Sequence, residues 1–131
     1  MITTKRQTLA QVMVCLGCCC GRVDKGKPAV PSDWLKAEWK RRRLLKHVHL
    51  TIAGCLGPCE IANVVTIVVP EGTLWFGGIS GSRFFEELLV WASASAAAGR
   101  LAPLPESFEP HRFERYAVAT SAAVLQEGSA A

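Results

Sequence analysis

No apolar stretch in this chain approaches the roughly 18 to 20 residues that a membrane-spanning helix needs, so the sequence predicts no span and a soluble protein. Glycine (11), proline (7) and a charged fraction of 20% are all too modest for a collagenous or disordered chain. With only 131 residues there is room for one compact domain and little for a second. A Gly-rich phosphate loop, paired catalytic carboxylates and a Ser/His/Asp set are all missing, which leaves hydrolase and nucleotide-enzyme readings without residues. No internal repeat is visible. Half of the residues are hydrophobic, but 17 are alanine and twelve of these lie at or beyond Ala92, so the first ninety residues must supply the core.

The net charge of +4 is unevenly spread: residues 1–60 carry +7 and residues 61–131 carry −3. Such a split marks a surface that meets an acidic partner or offsets a buried negative centre. Nucleic acid is disfavoured as that partner, because the basic stretch comes with no helix-turn-helix, zinc-finger or aromatic RNA-binding signature. At the N-terminus, Lys5 and Arg6 precede the apolar Leu9–Leu16 and then Gly17, in the manner of an export signal. Gln11 interrupts that run and its length is at the short limit, so a cytoplasmic protein is expected.

The order of elements follows from periodicity. Thr8–Cys15 reads as a strand that ends on a cysteine, and Leu16–Pro31 as an irregular Gly/Cys/Lys/Pro segment. Ser32 or Asp33 caps a helix expected to run to about Leu45, placing Lys36, Lys40 and Arg43 on one face. His47–Ala53 is a second strand, again followed directly by a cysteine. Asn63–Val69 and Thr73–Phe76 form a hairpin around Pro70-Glu71-Gly72. Ser80 or Ser82 opens a last helix whose buried stripe is Phe84, Phe85, Leu88, Leu89 and Ala92. The expected fold is α/β with a mixed sheet in the order strand-helix-strand-hairpin-helix, residues 1–98 forming the domain and 99–131 a partly ordered or flexible tail. Phe108, Phe113 and Tyr116 are the tail's candidates for packing back.

Six cysteines fall in two groups, Cys15 with Cys18, Cys19 and Cys20, and Cys55 with Cys59. Adjacent cysteines suit a disulfide framework poorly and a metal site well. Taking Cys15, Cys20, Cys55 and Cys59, four thiolates on two loops can serve two irons in pairs, and loops at the same end of neighbouring strands bring them together. Gly54, Gly57 and Pro58 permit a tight turn with amide N–H groups near cluster sulfur, which raises the potential. This combination resembles the thioredoxin-like 2Fe-2S ferredoxins, and is similar to the iron-sulfur domain of the NADH dehydrogenase flavoprotein module. It comprises the strand-borne Cys15, the C-x4-C spacing to Cys20, the helix-containing gap and the turn Gly54-Cys55-Leu56-Gly57-Pro58-Cys59 before a Val-rich hairpin. The resemblance spans Thr8 to about Trp91. It implies a thioredoxin-like fold, a 2Fe-2S cluster and single-electron transfer between redox partner proteins, without an enzymatic activity. Cys15, Cys55 and Cys59 match three ligands directly. Where the family has one further cysteine this chain offers three, and spacing selects Cys20 ahead of Cys19 and Cys18. Small proteins of this appearance are often found with cobalamin or tetrapyrrole metal-chelatase systems, and relatives often pair as a homodimer.

Other readings compete. Cys15-x2-Cys18 with Cys55 and Cys59 could form a zinc site in a structural or metal-delivery module without redox activity. Cys15-Leu16-Gly17-Cys18 is formally a thiol-redox C-x-x-C, but Gly21–Pro31 discourages the helix that should start there. His47 and His49 sit on a strand, not beside a cysteine, which disfavours a Rieske-like site including them or His111. Trp34, Trp39, Trp75 and Trp91 are assigned to packing. Arg22, Lys25, Lys27 and the run Lys40–Arg43 form a basic patch expected to ease cluster charge or to dock an acidic surface of a redox partner.

Overall fold

Burial alternates along the first strand and at the start of the second, and the β-branched third strand between them and the edge is buried over its first three residues. The computed structural model describes residues 1–17 and 19–117, with the Cys59 side chain also outside the description. Strand β1 is Ala10–Cys15, β2 is Val48–Ala53, β3 is Val65–Val69 and β4 is Gly72–Phe76. They hydrogen-bond in the order β2-β1-β3-β4. β1 and β2 are parallel, in register from Ala10 opposite Val48 to Cys15 opposite Ala53, while β3 is antiparallel to both β1 and β4. A parallel pair needs a crossover, and helix α1, Ser32–Arg41, supplies it. Helix α2, Arg83–Ala98, follows the hairpin. This is an α/β arrangement with a four-stranded mixed sheet, in the element order that the periodicity predicts.

The main core lies on the helical face. Val12, Val14, Leu50, Val65, Ile67 and Phe76 point there and meet Leu35 and Trp39 of α1 and Phe84, Phe85, Leu88 and Ala92 of α2. Two indoles anchor the helices to backbone: Trp39 Nε1 donates to the Val48 carbonyl and Trp91 Nε1 to that of Ala102, both at 2.7 Å. Residues beyond α2 join this core too. Phe108, on the 3-10 turn Glu106–His111, is buried and stacks on Phe84 with centroids 3.9 Å apart.

The first helix is shorter than its sequence suggests. It stops at Arg41 instead of about Leu45, because Arg43 adopts a left-handed backbone with φ of 54° and the Leu44 amide turns back to the Trp39 carbonyl at 3.0 Å. The turn lets Leu44 bury itself at the foot of the sheet. A residue with a Cβ is strained in that region. Arg43→Gly is therefore expected to stabilise the fold by about 0.5–1 kcal/mol, read as a higher urea midpoint at constant slope.

Candidate metal centre

Cysteine 15 closes β1 on the face away from the helices, since Val12 and Val14 take the opposite face. Its amide donates to the Val64 carbonyl at 3.0 Å, and the next amide, of Leu16, to the Ala53 carbonyl at 2.9 Å, so the two cysteine loops leave adjacent strands side by side. A tight turn follows in which the Gly17 amide donates to the Cys20 carbonyl at 2.9 Å. It folds Cys20 back onto Cys15. Both are almost fully buried, at 1% and 3% exposure, whereas Cys19 is half-buried. Gly21 ends this turn with φ of 69°, a left-handed conformation that favours glycine.

The second loop crosses the first. Cys15 Sγ lies 3.4 Å from the Gly54 carbonyl, and its sulfur is a hydrogen-bond partner of the Cys20 thiol and of the Leu56 amide. Burial, then the Cys20 contact, push the Cys15 thiol up to about 12, while the Leu56 amide pulls the other way and the nearby Cys55 adds to the rise. Cys55 itself is exposed, and Cys59 starts the single 3-10 turn Cys59–Ile61. The structure thus brings Cys15 and Cys20 into contact with Cys55 beside them. Among the described residues no three Cys, His, Asp or Glu side chains gather tightly enough to hold a single metal ion. The Cys59 side chain and all of Cys18, the rival first-loop ligand and the second member of the C-x-x-C, lie outside those residues.

A small second core surrounds the thiols. Cys15, Cys20 and Val64 are buried together, with Leu56, Trp75 and Phe113 packed against them. Phe113 belongs to a strap that runs beside β4: Gly77 donates to the His111 carbonyl at 2.9 Å, Phe113 to the Trp75 carbonyl at 3.1 Å, and Arg112 bridges to Phe76. Arg115 then lies over the Trp75 ring, 5.6 Å from its centroid, and against Gly57 of the second loop. Sequence reasoning found no motif here. The only signal was aromatic spacing in an otherwise Ala/Pro-rich segment.

Asn63 was missed as well. It is buried at 1% exposure and its amide ties three segments: Oδ1 accepts from the Gly21 amide at 2.6 Å, and Nδ2 donates to the carbonyls of Pro28 at 2.8 Å and Ile79 at 2.9 Å. A lone amide between Ala62 and Val64 was the available sign, because such a residue inside an apolar run must find partners when buried.

The basic residues divide between the two ends of the sheet. Arg22 and Lys25, on the short turn Val23–Lys25, stay close to the cysteines in sequence, and Arg22 pairs with Asp24 at 2.6 Å. The run Lys40–Arg43 does not. The Leu9 amide donates to the His47 carbonyl at 2.7 Å, so the turn that follows α1 meets the sheet where β1 begins, ~17 Å along the strands from Cys15. The expectation that this run eases charge at the cysteines fails on topology. Arg41 and Arg42 also pair with Glu38, at 2.7 and 3.5 Å, and Arg41 holds that carboxyl down at about 2. His49 on β2 and His47, which lies in the turn just before that strand instead of on it, share the remote end.

No known family profile matches the sequence, and no curated protein matches it. Among solved structures the chain is similar to a thioredoxin-like 2Fe-2S ferredoxin from Aquifex aeolicus. Identity is 15% and the TM-score 0.43, covering 83% of this chain and 100% of that one. Two cysteine-to-serine variants of that ferredoxin match at 16% and 14% identity, with TM-scores of 0.43 and 0.37, each over 81% of this chain and 99% of theirs. Likeness at this level says nothing of the cysteines. The site's own chemistry does: two touching thiols in an apolar pocket, a third alongside, and an amide already directed at sulfur suit a sulfur-rich metal centre.

Asn63 holds the first loop in place, so Asn63→Ala is expected to destabilise the chain by about 2–4 kcal/mol in urea unfolding, three hydrogen bonds being lost and their buried partners left unpaired.

Proposed function

We propose that this chain is a ferredoxin, holding one 2Fe-2S cluster on Cys15, Cys20, Cys55 and Cys59 and carrying single electrons between redox partner proteins. The observation that carries the reading is the contact between the Cys15 and Cys20 thiols with the Cys55–Cys59 loop laid across them. Such a pair meets what one iron of a two-iron centre asks for, namely two sulfurs from one loop. Bound there, the cluster would supply a one-electron couple. The chain's own residues supply the rest: Cys15 and Cys20 form a dry inner wall, Leu56 directs an amide at the inner sulfur, and the exposed Cys55 side leaves an edge where partners can approach.

In this reading residues 1–98 form the carrier, and Phe108, Phe113 and Arg115 from the described part of the following segment add to its cover. In this reading the protein has no reaction of its own and works in the cytoplasm. Its pathway, in cobalamin or tetrapyrrole metabolism, rests on the sequence resemblance alone, as does assembly as a homodimer. The acidic face of a partner docks where the electron leaves, which selects Lys25 and Lys27 over the remote Lys40–Arg43 run.

Anaerobically isolated protein is expected to be brown-red, with iron and acid-labile sulfide in equal amounts and a paramagnetic signal on one-electron reduction. Cys20→Ser should lose the visible spectrum, while Cys18→Ser and Cys19→Ser keep it. A colourless protein containing zinc and no sulfide would instead establish the metal-delivery alternative. Charge reversal at Lys25 and Lys27 should slow reduction by a partner about tenfold at low salt and flatten its salt dependence. The same change at Lys5 and Lys46 should leave stopped-flow rates unaltered.

A further inference from the structure

The indole of Trp75 occupies an unusual position. It stands on the edge strand β4, opposite Thr66 in register, on the same sheet face as Cys15. Its Nε1 is shielded from solvent and has no hydrogen-bond partner among the described residues. The other two buried indole donors behave differently, since Trp39 and Trp91 each reach a backbone carbonyl at 2.7 Å. An indole N–H can only donate, and leaving it buried without an acceptor is unfavourable.

The surroundings limit what could accept. Trp75 packs against the buried cluster of Cys15, Cys20 and Val64, in which the two sulfurs are the side-chain acceptor atoms. Thr66 is not taking the proton, because its own hydroxyl is likewise buried without a partner. On the outer side the ring is held by Phe113, 6.1 Å away between centroids, by Tyr116 edge-on at 6.3 Å, and by the Arg115 guanidinium. The Phe113 amide further pins the Trp75 carbonyl at 3.1 Å. The strap therefore fixes this indole against the thiols instead of leaving it free to turn outwards.

We propose that Trp75 is a positioning residue of the metal centre, its Nε1–H donating a hydrogen bond to sulfur when the cysteines hold the cluster. The inference rests on the ferredoxin reading above. A donor at sulfur stabilises the more negative, reduced state and raises the potential. The strap from His111 to Tyr116 then serves redox chemistry by holding the indole in place, although it supplies no ligand.

The test uses the full chain reconstituted anaerobically with iron and sulfide. Trp75→Phe keeps the ring and removes the donor. Its reduced-to-oxidised ratio at a fixed ambient potential should fall about threefold to tenfold, tenfold being 59 mV for one electron. The metal-free variant should lose some thermal stability, because the missing pyrrole ring leaves a gap against Cys15, Cys20 and Val64; the donor is therefore read from the potential and not from the melting temperature. Wild-type protein with 15N-labelled tryptophan provides a measurement independent of any variant: the reduced centre should display a hyperfine coupling to one indole nitrogen. An unchanged potential in the loaded variant, or no 15N coupling in the loaded wild type, overturns this proposal alone. A wild-type chain that takes up no iron overturns the cluster reading and this one with it.

Discussion

Parallel pairing of β1 with β2 is the constraint on which the site depends. The pairing runs from Ala10 and Val48 to Cys15 and Ala53, so two segments forty residues apart leave the sheet at the same end. An antiparallel pair would have sent their cysteine loops to opposite ends. Register matters as much as direction: a slip by one residue would turn Cys15 to the helical face and bury its thiol among leucines and phenylalanines. The helical core, from Leu35 and Trp39 to Leu88, holds that register because Ala10, Val12 and Val14 are the β1 residues packed in it.

The sheet's two faces do different work. One is covered by both helices and provides most of the stability. The other is bare at one end, where Gln11 and His49 are exposed, and covered at the other by the Cys15–Cys20 turn and the strap around Trp75. Burial there has a chemical cost: with no charge to oppose it, the Cys15 thiol keeps its proton far above neutral pH. A metal that takes this sulfur must displace the proton, and the Leu56 amide is the local group that favours the thiolate. Asn63 gives the arrangement its rigidity, since it joins the turn after Cys20 to Ile79, in the segment between β4 and α2, through a single side chain.

Charge is distributed along the strand axis. Lysines and arginines around the start of β1 and the end of α1 gather at the end remote from the thiols, and several spend their charge on Glu38. Arg22, Lys25 and Lys27 bring positive charge near the cysteines along the chain, and Arg115 does so from the strap, against Gly57. The +7 of the first sixty residues is thus two separate surfaces, each with its own environment, although in sequence it reads as one patch.

Several features were legible from residue order. The strand-helix-strand-hairpin-helix series, the termination of β1 at a cysteine and the buried stripe of α2 follow from local periodicity, which depends on near neighbours only. The Cys20 thiol touches that of Cys15, while Cys18 and the Cys59 side chain lie outside what the structure describes. What tertiary structure alone decided was distance across the chain. Arg43's left-handed turn answers to the burial of Leu44, and the split of the basic residues answers to the direction of α1. Asn63's three partners, and the strap that lays Phe113 and Arg115 over Trp75, arise from segments more than fifteen residues apart. Those contacts depend on which faces meet once the sheet has formed, and no run of neighbouring residues encodes them.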